Sequence, residues 1–179
     1  MCILTTEEFI DIAQQIAEKN DLNTHAQKPN TAVTTSIFIS HAQDDHEKML
    51  LAKFFFENLG IPLNIDWSKE ITEPITSLRA QKIKNKIICL NDKFILLGTN
   101  KAIASNWCNW QLGIADPFKL PTNKMAILPL SDENGNWNGR QLLELYPRIE
   151  KQTQNDSEHK FLVYFPNGST MELKNWLDN

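Results

Sequence analysis

The chain has 179 residues, 41% hydrophobic and 22% charged, which fits one globular domain large enough to bury a core without staples. A net charge of −4 offers no electrostatic footing for nucleic acid or an anionic membrane, and no apolar run reaches the roughly 20 residues of a membrane span. Three widely spaced cysteines (Cys2, Cys89 and Cys108) fit neither a disulfide framework nor a zinc site and suit a reducing cytoplasm.

The start of the chain, Met1 to Glu8, lacks the basic region and apolar stretch of a signal peptide, so the expected location is the cytoplasm. Thr5-x-x-Glu8 reads as a capping box, followed by Phe9, Ile12, Ala13 and Ile16 at helical spacing, and predicts an amphipathic helix to about Asn20. Polar residues with Pro29 then form a linker to Thr35. Residues 1–35 are thus an added helix and linker, packed on the main domain or turned toward a partner, and residues 36–179 are the main domain.

Ile37-Phe38-Ile39 is a short β-prone run that stops at Ser40-His41. Asp44 and Asp45 suit the start of the next helix, which carries Leu50, Leu51, Phe54, Phe55 and Leu59 and ends at Gly60. Ile61 to Asp66 reads as a second strand, Trp67 to Glu73 as a loop, and Pro74 as the first turn of a helix through Leu78 and Ile83. Phe94 to Leu97 and Met125 to Leu130 are two more apolar strands. The tail departs from the alternation: Phe161 to Phe165, the turn Pro166-Asn167-Gly168, and Ser169 to Leu173 predict a hairpin, then a short turn around Trp176.

Apolar strands alternating with helices predict an α/β fold, a parallel sheet covered on both faces. Phe38, Leu51, Phe55, Ile65, Ile95, Leu97, Ile127 and Leu128 are the expected core. Such sheets bind ligands at the carboxyl ends of their strands, here near Ser40, His41, Asp66 and Thr99. No Gly-x-Gly-x-x-Gly follows the first strand and no P-loop is present, which argues against a Rossmann dehydrogenase or a P-loop nucleotidase.

Ser105 is a good N-cap, so the run from Asn106 to Gly113 opens a helix with Trp107 and Gln111 on one face. Two readings stand: the pair floors a small-molecule site, or Trp107 is core and Gln111 a solvated surface amide. Ser40 equally fits a helix cap, His41 a hydrogen-bonded surface histidine, and Asp66 a loop carboxylate. Trp67, Trp110 and Trp137 read as packing. His41, Asp44, Asp45 and His46 match no metal-ligand pattern.

With these elements in order, the stretch from Ser36 to Ile149 resembles a TIR domain. Ile37 to Asp45 looks like the family's first box, and Leu63-Asn64-Ile65-Asp66-Trp67 like its second strand and BB loop. Phe94 to Thr99 looks like the third strand, and Ser105-Asn106-Trp107-Cys108-x-x-Gln111-Leu112 like the S-x-W-C-x-x-E-L segment. The small size and hairpin tail look like standalone bacterial TIR proteins, including the TIR subunits of Thoeris anti-phage systems. The resemblance implies a flavodoxin-like sheet and cleavage of the nicotinamide–ribose bond of NAD. NAD is then a substrate, with no cofactor and no metal. The implied product is ADP-ribose or a cyclic or conjugated form of it, a signal that reaches an effector protein.

Carried over by position, Trp107 packs against the nicotinamide-side ribose, Ser40, His41 and Asp66 line the substrate, and Gln111 occupies the place of the catalytic Glu. Gln is the nearest neutral isostere of Glu, so the implied enzyme holds substrate and turns it over very slowly. The rival reading is a non-catalytic scaffold that assembles with other TIR domains through Ser68 to Glu73. A nucleoside deoxyribosyltransferase-like enzyme shares the sheet but needs a nucleophilic carboxylate for which no candidate stands out.

Overall fold

The computed structural model describes residues 3–22, 35–59, 63–66, 76–152 and 160–179. Most of the expected linker, the predicted loop at Trp67 to Glu73, Gly60 and Pro74 lie outside these residues. Among the described residues, seven β-strands run side by side: β2 (Thr35–Ser40), β3 (Leu63–Asp66), β4 (Lys93–Gly98), β5 (Met125–Ser131), β6 (Arg148–Lys151), β7 (Phe161–Tyr164) and β8 (Thr170–Glu172). Their spatial order is β3-β2-β4-β5-β6-β7-β8, parallel from β3 to β6 and antiparallel from β6 to β8. A two-residue strand, β1 (Leu4–Thr5), pairs in parallel with the end of β5.

The period of two explains the two cores. Ile37, Ile39, Ile95, Leu97, Ala126 and Leu128 join one cluster, whereas Phe38, Phe94, Leu96, Met125 and Ile127 join the other. The first cluster is covered by α1 (Thr6–Leu22), α2 (His46–Glu57) and α7 (Leu173–Asp178). The second is covered by α3 (Ser77–Asn85), α5 (Asn106–Lys119) and a π-helical turn at Lys86–Leu90. Strands apolar on both faces suit a parallel sheet between helical layers. The fold is a flavodoxin-like α/β sheet.

The capping box at Thr5 forms in both directions: Thr5 N–H donates to Glu8 Oε2 at 2.8 Å and Glu8 N–H to Thr5 Oγ1 at 3.1 Å. α1 shares the main core, with the Phe9 ring 5.1 Å from Phe55. Of the expected core residues, seven are buried and Leu51 is only half-buried. α2 turns Met49, Ala52, Phe55 and Phe56 inward, leaving Leu51 at the margin of that stripe.

Two further differences are at the tail. β6 has the sequence Arg-Ile-Glu-Lys, too polar to read as a strand, yet it sits between β5 and the hairpin. Its charges pair locally: Arg148 Nε donates to Glu150 Oε1 at 2.5 Å. The short turn expected around Trp176 is a helix, α7. Trp176 is buried there, its Nε1 donating to the Asn123 carbonyl at 2.7 Å. Its ring also lies 4.7 Å from the ammonium of Lys93, which burial pushes down to about 8.

Candidate active site

The carboxyl end of the sheet is built by β2, β4 and the helices that follow them. β4 ends at Gly98, where a Cβ would fall 2.7 Å from Ile127 Cγ2, and the indole N–H of Trp137 donates to the Gly98 carbonyl. Trp137 is therefore packing, as its position in sequence suggested. Thr99 then caps α4 (Asn100–Ala104), its Oγ1 accepting from Ala102 N–H at 3.1 Å. Ser105 caps α5 in the same way, accepting from Cys108 N–H at 3.3 Å.

α5 delivers Gln111 to the end of β2. Ser40 Oγ donates to Gln111 Oε1 at 2.5 Å, joining residues 71 positions apart, and both side chains are at least 98% buried. The reading of Gln111 as a solvated surface amide fails. With Oε1 held by Ser40, the amide NH2 is the end left to meet other groups. Trp107, one turn earlier, is half-buried. Trp110 stacks on it with centroids 4.5 Å apart and planes 15° apart, and the Arg79 guanidinium lies over its ring at 5.8 Å.

Cys108 is fully buried beside this pair. Burial pushes its thiol up, against the smaller opposing effect of the Ser105 and Ser40 hydroxyls, so it stays protonated and is no nucleophile at neutral pH. Cys89 and Cys108 are both free thiols.

His41 is buried at the end of β2. Its Nδ1 lies 3.5 Å from the Ile39 carbonyl, and its Nε2 is enclosed without a hydrogen-bond partner. Burial lowers its pKa; the Ile39 carbonyl and Asp45 oppose the shift, and nearby His46 adds to it. The ring is neutral at pH 7, donating from Nδ1 and presenting Nε2 as an acceptor.

Asp66 takes a different course. It stands in register with Phe38, two residues short of Ser40. Its carboxylate accepts from Lys86 Nζ at 2.9 Å and Asn91 Nδ2 at 3.4 Å. These contacts lead to the π-helical turn, not to Ser40, His41 or Trp107. The structure thus joins Ser40 to Gln111, with Trp107 one turn earlier on the same helix and His41 next to Ser40 along the chain, and ties Asp66 to another element.

Two residues at this end of the sheet escaped the sequence reading. Asp45 is buried, its Oδ2 accepting from the Thr99 hydroxyl and its Oδ1 3.3 Å from Lys48 Nζ. It ties the segment after β2 to the start of α4. Its neighbour Asp44 is exposed and pairs with Lys101 at 3.5 Å. Nothing in the run Gln43-Asp44-Asp45-His46 separates the two acids. Arg79, buried against Trp107, carried no signal at all. Among the described residues, no group of three or more His, Cys, Asp or Glu is gathered to hold a metal ion.

In this flavodoxin-like sheet β2 ends at Ser40, just before His41, and faces a serine-capped helix that carries Trp107 and Gln111 one turn apart. The chain resembles the standalone bacterial TIR NADases, Thoeris TIR subunits among them. It is 29% identical over 147 residues to a Bacillus cereus (strain MSX-D12) protein named probable 3' cyclic ADP-D-ribose synthase ThsB', covering 79% of this chain and 74% of that one. No protein-family model matches the chain.

Proposed function

We propose that this protein is a TIR-class NAD-cleaving enzyme that releases nicotinamide and leaves an ADP-ribose-derived signal, cyclic or conjugated, for an effector protein in bacterial anti-phage defence. The observation that carries the reading is the Ser40–Gln111 hydrogen bond beside Trp107 at the strand ends. The name of the Bacillus cereus relative supports a cyclic ADP-ribose product.

The chemistry asks little of the protein. Nicotinamide leaves as a neutral molecule from a cationic pyridinium, so no general acid is needed. What is needed is negative charge opposite the oxocarbenium-like centre that develops at the ribose, the task of a carboxylate in glycoside hydrolysis. Gln111 has the reach of that carboxylate but not its charge. It contributes ground-state contact with ribose hydroxyls and little transition-state stabilisation. Losing one such preorganised group costs about 10²–10³ in rate, roughly 3–4 kcal/mol.

The test is nicotinamide release from NAD by the parent and by Gln111→Glu at matched concentration, with phage-infected lysate present in case an activator is required. Gln111→Glu should raise the rate by at least about a hundredfold. Trp107→Ala in that background should lower it again through lost stacking, on the order of 1–3 kcal/mol. If Gln111→Glu is as inactive as the parent, the enzyme reading fails and the scaffold reading, which a natural Gln at position 111 would favour, replaces it.

A further inference from the structure

We infer that this protein associates head to tail with further copies of itself, the acidic outer face of α1 on one molecule docking against the basic outer face of α3 on the next. Neither face includes Ser40, Trp107 or Gln111, so the contact stands whether or not that site takes NAD.

The two faces carry opposite charge. α1 sets Glu7, Asp11, Gln14 and Glu18 at helical spacing, all exposed. Three carboxylates therefore lie along one stripe, about 16 Å from end to end. The helix dipole favours acids in the first turn and accounts for Glu7, but not for Asp11 or Glu18. From Ser77 to Leu90, α3 and the π-helical turn hold Arg79, Lys82, Lys84 and Lys86 and no carboxylate. Arg79 is buried and Lys86 pairs with Asp66, whereas Lys82 and Lys84 are exposed. With Gln81, Asn85, Ile88 and Cys89, these two lysines line an open hollow of about 510 Å³.

Among the described residues, none of Glu7, Asp11, Glu18, Lys82 and Lys84 forms an ion pair within the chain. They cannot satisfy one another there, because α1 and α3 cover opposite faces of the sheet. A second copy supplies the missing complement to each. An exposed ion pair contributes little alone, but several opposed charges on one face steer association and fix its register. The docked surfaces differ, so each added copy leaves one free face of each kind. Growth then continues past two unless a ring closes.

The experiment is sedimentation velocity of the full chain over a concentration series, in low salt and in about 1 M salt, where screening cuts the reach of exposed charges to roughly 3 Å. The parent should form species larger than the monomer in low salt and return to monomer in high salt. Lys82→Glu/Lys84→Glu makes both faces acidic, and Glu7→Lys/Asp11→Lys/Glu18→Lys makes both basic. Each set should weaken association more than about tenfold, because like charges then meet. Mixed in equal amounts, the two variants present opposite charges to each other and should recover the large species. Unfolded chains could not give that recovery, so the mixture also reports that both variants keep their helices.

A parent that stays monomeric in low salt at every concentration overturns the inference and leaves the two stripes to partners other than this chain. Association that survives either charge reversal, as assembly through Ser68 to Glu73 would, also overturns it. So does loss in both variants without recovery on mixing, which would mean that the two stripes do not meet. The NAD reading is judged by nicotinamide release alone and is untouched by these outcomes.

Discussion

Replacing Ser40 by Ala removes the hydrogen bond that joins the end of β2 to Gln111 on α5. The hydroxyl donates to Gln111 Oε1 at 2.5 Å, with 1% and 2% of the two residues exposed. Water cannot take over the lost donor, so the amide oxygen is left buried without a partner. Such a loss costs about 1–3 kcal/mol. For a domain of this size, 2 kcal/mol lowers the thermal midpoint by about 4–8 °C. Gln111→Met removes the other partner and leaves the hydroxyl only the weak Cys108 thiol contact, so it should also destabilise. The double variant Ser40→Ala/Gln111→Met strands neither group. Its destabilisation should be smaller than the sum of the singles by about 1 kcal/mol or more. Urea unfolding of the four proteins closes the cycle. Single-variant effects that add to within about 0.5 kcal/mol would refute the claim that this bond acts as a unit.

The neutral state of His41 predicts a pH dependence of stability. Its folded-state pKa lies below the unfolded value of 6.5, so the unfolded chain binds more protons as pH falls through that range, and stability declines from pH 7 toward pH 5. His41→Asn retains a donor for the Ile39 carbonyl and should flatten the slope; an unchanged slope in urea titrations at the two pH values refutes it. Phe55 touches the rings of Phe9, Phe56 and Phe161 at 5.1, 5.2 and 4.8 Å. Phe55→Ala should cost about 3–5 kcal/mol and speed hydrogen exchange in α1, whereas full protection of α1 would show that the helix docks independently.

Local chemistry in the sequence determined a great deal of this protein. Apolar runs at Ile37 to Ile39, Phe94 to Leu97 and Met125 to Leu130 require burial on both faces, and that demand dictates a parallel sheet between helices. Thr5-x-x-Glu8 and Ser105 mark helix starts because the cap residues satisfy backbone donors within three positions of themselves. The helix period put Trp107 and Gln111 on one face before any fold was known.

Tertiary structure alone decided which polar groups are enclosed and what they meet. Asp44 and Asp45 are chemically identical neighbours, and only the approach of Thr99 buries the second. Asp66 sits at a strand end as expected, but Lys86 and Asn91, distant in sequence, draw its carboxylate to the π-helical turn. The polar β6 becomes a strand because β5 and β7 satisfy its backbone on both sides, a pairing its own side chains do not announce. Ser40 and Gln111 meet across 71 residues, and Arg79 comes to rest on Trp107, because helix packing on the sheet places them there. Periodicity reports which face a residue occupies. The partner it finds on that face depends on elements far away in the chain.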